Sequence, residues 1–216
     1  MTEALMKKIN EGREYRKMTM EAAADDDYVV NGYATTFDEP YHLYYTEDGK
    51  EVKEEVSKDA FLNTDMSDVI MQYDHEGRVF ARLSNDTLKL DVDDHGLKVT
   101  ANLGGTTIGR NLYEEIKGGY TNKMSFGFTV AKDKVKADGD GYLRSILSVG
   151  KLFDVSAVSL PANDFTEISA RSHCDGAIAE VEAERLRLEE ERKIQAEKRE
   201  SLAARLNALK GEKDGN

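Results

Sequence analysis

Apolar and polar residues trade places along most of this chain with a period of two, and in two stretches with a period near four. The period-two stretches begin at "YVVNGYATTF" (28–37), a β-branched and aromatic run around Gly32, which predicts a strand with a bulge or a close backbone approach. "VIMQYDHEGRVFARL" (69–83) gives two apolar runs separated by a polar turn that carries His75. In "TLKLDVDDHGLKVTANL" (87–103) Leu88, Leu90 and Val92 alternate with polar neighbours, the chain turns at "DDHG", and Leu97, Val99, Ala101 and Leu103 alternate again. That pattern predicts a hairpin with one buried face. Further strands are expected in "KMSFGFTV" (123–130) and, as two pieces, in "YLRSILSVGKLFDVSAVSLPAN" (142–163).

Helical spacing enters first at 106–119, where Ile108, Leu112 and Ile116 recur every four residues before a pair of glycines. From about Ala177 to Lys210 the composition turns to Glu, Arg, Lys, Ala and Leu without Pro or Gly, which predicts one long helix. Its heptad seams, Ile178/Arg185/Arg192/Arg199/Leu206 and Val181/Leu188/Gln195/Leu202/Leu209, contain too many polar residues for strong self-association. Residues 38–60, with Pro40, Tyr41, Tyr44, Tyr45 and "EDGK", read as a loop or short hairpin. The organisation expected is a mobile arm over 1–26, a mainly β domain over 27–172 and a charged helical segment over 173–216. Many short strands, mostly sequential, with one inserted helix suggest a closed β-barrel with peripheral helices.

Composition narrows the function. A net charge of −12 repels phosphate backbones and anionic lipid, so nucleic-acid and membrane partners are not expected. The lone Cys174 excludes an internal disulfide framework, and no Cys/His pair has ligand spacing, so neither a metal nor a cofactor is anticipated. A soluble protein of a reducing compartment is expected, because no apolar run is long enough for a signal sequence or a span.

Three residues stand out chemically. Along 123–130 the apolar Met124, Phe126, Phe128 and Val130 face one way, and Ser125, Gly127 and Thr129 the other. Gly127 beside Ser125 leaves room for a substrate backbone to approach. His75 sits at the end of an apolar run. Asp154 interrupts an apolar strand, where a carboxylate is costly unless paired; an imidazole N–H suits it, and Arg78, Arg82 or Arg144 would serve as a salt-bridge alternative.

The blocks "MQYDHEGRVFARL", "LKLDVDDHGLKVTANL", "KMSFGFTV" and "KLFDVSAVSLPAND" resemble the tailed-phage prohead (capsid maturation) serine proteases over roughly residues 28–171. That resemblance implies a herpesvirus-protease-like barrel. It implies Ser125 as nucleophile, His75 as general base and Asp154 as the acid that orients His75. The family commonly has Glu at the last position, so Asp154 is a departure by one methylene. The herpesvirus enzymes use a second histidine as third member, which makes His95 the runner-up for that role. Oxyanion donors would be the backbone amides of Ala162 and Asn163, since Pro161 has no N–H.

The implied role is an endopeptidase acting in the bacterial host cytoplasm inside the assembling prohead. Its substrates would be the scaffold, or the scaffold-like segment of the major capsid protein, and the enzyme itself. The charged helix would pair with a scaffold helix and be open to removal by self-cleavage, its alternative being a solvated helix without partner. Herpesvirus relatives act as dimers, but no apolar patch here demands a homodimer. Two competing readings are a non-enzymatic assembly factor working through the helix and another serine hydrolase such as an esterase; the absence of a Gly-x-Ser-x-Gly elbow disfavours the second.

Overall fold

The computed structural model describes residues 3–23, 28–158 and 163–211. Contacts divide the chain into two compact units, Met1–Asp175 and Gly176–Asn216. In chain order the elements are α1 (Glu3–Asn10), β1 (Glu14–Ala22), β2 (Val29–Thr36), β3 (Tyr41–Tyr45), β4 (Glu51–Val56), β5 (Ile70–Tyr73), β6 (Glu76–Arg82), a 3-10 turn, β7 (Leu88–Val92), β8 (Gly96–Asn102), α2 (Thr107–Lys117), β9 (Lys123–Asp138), β10 (Gly141–Val158) and α3 (Asn163–Gly211).

The strands form a sheet of order β3-β4-β10-β9-β1-β2-β8-β7, with β5 and β6 appended to β10. Because β10 is 18 residues long, its first half pairs in parallel with β4 and its second half in parallel with β5. Its opposite edge pairs with β9 in antiparallel register, interrupted by irregularities between Ile146 and Asp154. One bulged strand therefore replaces the two pieces expected over 142–163.

The mostly β architecture with a C-terminal helix is as expected, but the closed barrel is not what forms. β3 pairs only with β4, and β7 only with β8, so the sheet keeps free edges among the described residues. Counting strands in sequence cannot reveal closure, which depends on whether the two outermost strands meet. The segment expected as a mobile arm also differs, since β1 lies inside the sheet. Its residues Glu14–Thr19 pair with β9, and Met20–Ala22 pair with β2.

Local chemistry explains the elements around the site. The β7–β8 hairpin closes where the Asp93 carboxylate accepts from the amides of His95 and Gly96. Helix α2 starts at Thr106, whose hydroxyl accepts from the Gly109 amide at 3.0 Å, and buries Leu112, Tyr113 and Ile116 against the sheet. The core beneath β9 is built on Met124, Phe126 and Phe128, the two phenyl rings stacked at 4.7 Å.

Beside that core sits a buried ionic cluster. The Arg16 guanidinium donates to Glu14 at 2.5 Å and to Glu54, and Arg144 donates to Glu14 at 2.6 and 2.8 Å, to Glu54 at 3.0 Å and to Asp133 at 2.6 Å. Tyr41 donates its hydroxyl to Glu54. Burial alone would lower both arginines, but the facing carboxylates hold them charged. Cys174, on the part of α3 within the first unit, is fully buried there. Burial pushes its thiol up to about 12, Arg144 pulling it down and Glu54 and Glu14 pushing it further up.

Candidate active site

β9 sets the serine. Ser125 and Gly127 share one face of the strand and are opposite Ser156 and Asp154 of β10, while on the other side they are opposite Lys17 and Tyr15 of β1. Directly opposed residues of an antiparallel pair project to the same face. Register alone thus gathers Ser125, Ser156, Asp154 and Tyr15 on one surface. All four are nearly buried, Ser125 at 7% exposed and Ser156 at 0%.

The histidine arrives from β5. Met71 and Gln72 run parallel to Val155 and Ser156, and the chain then reverses into β6 through Asp74 and His75 alone, Tyr73 being paired with Glu76. Both turn residues have positive φ, 50° and 61°, as a two-residue hairpin loop of the primed type requires. Neither is glycine, so each residue costs on the order of 1 kcal/mol of backbone strain that surrounding contacts must offset. The Asp74 amide donates to the Ala157 carbonyl at 2.9 Å, and the Lys8 ammonium donates to the His75 carbonyl at 2.7 Å.

Held in this way, the imidazole is buried and its Nδ1 lies 2.5 Å from Asp154 Oδ1. The same oxygen accepts from the Ser156 hydroxyl at 2.7 Å. Burial alone would raise the Asp154 carboxyl; the His75 hydrogen bond and charge, the Ser156 hydroxyl and the Lys8 ammonium outweigh it and hold it below the usual carboxylate range. An ionised carboxylate only accepts, so the proton of this hydrogen bond is on Nδ1.

Tyr15 closes the other side. Its ring meets His75 edge to face at 4.4 Å, and its hydroxyl is buried on the side of Arg13, outside ideal hydrogen-bond geometry with any described residue. Burial, followed by the Asp154 charge, pushes that hydroxyl far above its ordinary range, so it stays protonated.

Gly127 has a different reason from the one its sequence position suggests. A Cβ there would lie 2.6 Å from Asp154 Oδ2 and 2.9 Å from Tyr15 Cε1. The missing side chain makes room for the carboxylate and the ring rather than for a substrate backbone.

Among the three residues singled out in the sequence, His75 and Asp154 are hydrogen-bonded, and Ser125 lies on the Asp154 face through its pairing with Ser156. Of the arginine alternatives for Asp154, Arg82 binds Asp68 at 2.8 Å and Arg144 belongs to the ionic cluster. His95 packs edge-on against Tyr33 at the β7–β8 turn, and His42 pairs with Glu51. Of the two amides named as oxyanion donors, Ala162 lies outside the described residues, and Asn163 is the first residue of α3. Sequence reasoning missed Tyr15, Ser156 and Lys8. Ser156 had a legible signal, since it is two residues from Asp154 and so on the same face of a strand. Among the described residues no group of His, Cys, Asp or Glu could hold a metal ion, and no helix is long and apolar enough to cross a membrane.

An imidazole backed by an ionised carboxylate, on a sheet face that also carries a strand serine, is equipment that a hydrolase working through a nucleophilic hydroxyl can use. Comparison with known families narrows that class: the chain belongs to the caudovirus prohead serine proteases, whose family model matches residues 14–179. It is accordingly a serine protease of phage capsid maturation. No curated protein and no solved structure matches it.

Proposed function

We propose that the chain is the endopeptidase of an assembling phage prohead, with Ser125 as nucleophile, His75 as general base and Asp154 as the orienting acid. The observation that carries this is the His75 Nδ1 to Asp154 Oδ1 hydrogen bond on the face that Ser125 shares. Ser125 Oγ attacks the scissile carbonyl carbon while His75 Nε2 takes the hydroxyl proton. The tetrahedral oxyanion then collapses, and His75 returns the proton to the departing amine. Water repeats the sequence on the acyl-enzyme, releasing the acid and restoring Ser125. Asp154 stays ionised throughout and stabilises the imidazolium, a role for which its lowered carboxyl is suited.

For the oxyanion we assign the backbone amides of Ala162 and Asn163. Asn163 opens α3, and amides of a first helical turn have no intrahelical acceptor. The substrates we assign are the scaffold, or the scaffold-like segment of the major capsid protein, and the chain itself, inside the prohead in the host cell. Family membership supports a capsid-protein substrate.

The test is labelling with a fluorophosphonate and peptide mapping, alongside processing of capsid protein. Ser125→Ala and His75→Ala should each lower processing about a millionfold, and Asp154→Asn about ten-thousandfold. A wild-type chain that takes up no label at Ser125, or a His75→Ala chain that processes at the wild-type rate, overturns the assignment.

A further inference from the structure

The turn that carries His75 is strained, short and held at three points. Asp154 fixes the imidazole at Nδ1, the Ala157 carbonyl fixes the Asp74 amide, and the Lys8 ammonium fixes the His75 carbonyl. The first two holds come from β10. The third comes from α1, which precedes residue 14 and so lies outside the matched family region.

α1 is tied to the strand beside the nucleophile. The Gly12 amide donates to the Ile9 carbonyl at 2.9 Å and the Arg13 amide to the Lys8 carbonyl at 3.1 Å, with Gly12 at φ 87° ending the helix in a left-handed turn. Ile9 is buried and anchors the helix. The chain passes directly from Arg13 into β1, where Lys17 is opposite Ser125. A backbone path therefore runs from Ser125 through β9, β1 and α1 to Lys8, and from its ammonium to the base.

We propose that Lys8 is a positioning residue of the active site, its ammonium fixing the strained His75 turn through the His75 carbonyl; this rests on His75 being the general base. In a two-residue turn with both residues at positive φ, a flip of the peptide that follows His75 would release the strained turn and loosen the imidazole from Asp154. A cation on that carbonyl holds the peptide in the orientation in which Nδ1 reaches Asp154. Lysine suits the task because a carbonyl needs one donor on a reaching stem, and arginine can supply one from a similar length.

The experiment uses the full chain and a fluorophosphonate, and separates the rate of phosphonylation at saturation, kinact, from the half-saturating concentration, KI. Lys8→Met should lower kinact about ten- to a hundredfold while KI stays within about twofold, because about an ångström of misplacement costs on that order in rate without touching binding. Lys8→Arg should restore most of kinact. A second readout is free of turnover: in the Ser125→Ala background the proton on His75 Nδ1 should give a strongly deshielded NMR resonance, and Lys8→Met should broaden or abolish it. If Lys8→Met reacts at the wild-type kinact, or Lys8→Arg is as slow as Lys8→Met, the proposal is overturned while the triad reading stands. If the wild type takes no label at Ser125, the triad reading falls and this proposal falls with it.

Discussion

At the scale of single residues, the face that carries the chemistry was legible because a strand has only two faces. Alternation through "KMSFGFTV" put Ser125 and Gly127 together, opposite the Phe126 and Phe128 core, and the register agrees. What Gly127 is for was not legible, because its neighbours come from β1 and β10. Its absent Cβ leaves the space in which the Asp154 carboxylate reaches His75. Gly127→Ala should therefore act on the site through Asp154 and Tyr15. A methyl carbon 2.6 Å from Oδ2 forces the carboxylate or the strand to shift, at a cost of about 1–3 kcal/mol in stability. The accompanying loss in kcat should be about a hundredfold. Thermal melts and fluorophosphonate labelling measure the two effects. Wild-type labelling by Gly127→Ala would mean that Asp154 has room to move without disturbing His75.

At the scale of elements, β1 is where sequence reading failed. "EYRKMTMEA" has little apolar content, and its inward-facing Glu14 and Arg16 look like surface charges. They are buried because Glu54 of β4 and Arg144 of β10, both remote in sequence, complete an ionic cluster around them. No local pattern announces such a match, whereas the β7–β8 hairpin and α2 needed only their own periodicity and capping residues. The cluster also makes β1 dependent on two other strands. Removing one partner leaves an uncompensated buried charge, so Arg144→Met should destabilise the protein by about 3–5 kcal/mol. Denaturant unfolding checks this. A change below about 1 kcal/mol would mean that water reaches the remaining carboxylates, as it does in exposed pairs.

At the scale of the whole molecule, the mostly β character was legible but the closure of the sheet was not, since closure is a relation between β3, β6 and β7 that no single segment encodes. The long helix was legible from composition from Ala177 onward, but not its beginning at Asn163, where the sequence lacks the charged, repetitive composition. In the unit Gly176–Asn216 its charges pair along the helix, Arg187 with Glu184 at 2.7 Å and Arg185 with Glu189 at 3.5 Å, and the seam residues Leu188 and Leu202 are exposed. Pairs of this kind support an isolated helix by a few tenths of a kcal/mol each and leave Leu188 and Leu202 open to a similar helix. None of the residues assigned to the chemistry lies beyond Asn163. Deleting residues 177–216 should therefore leave fluorophosphonate labelling of Ser125 within about twofold of wild type, since the segment removed holds none of those residues. The same deletion should reduce incorporation into proheads, measured as protease copies per purified particle. Unchanged incorporation would show that the helix is a solvated extension without a scaffold partner. Loss of labelling would show that the catalytic unit needs the helix to fold.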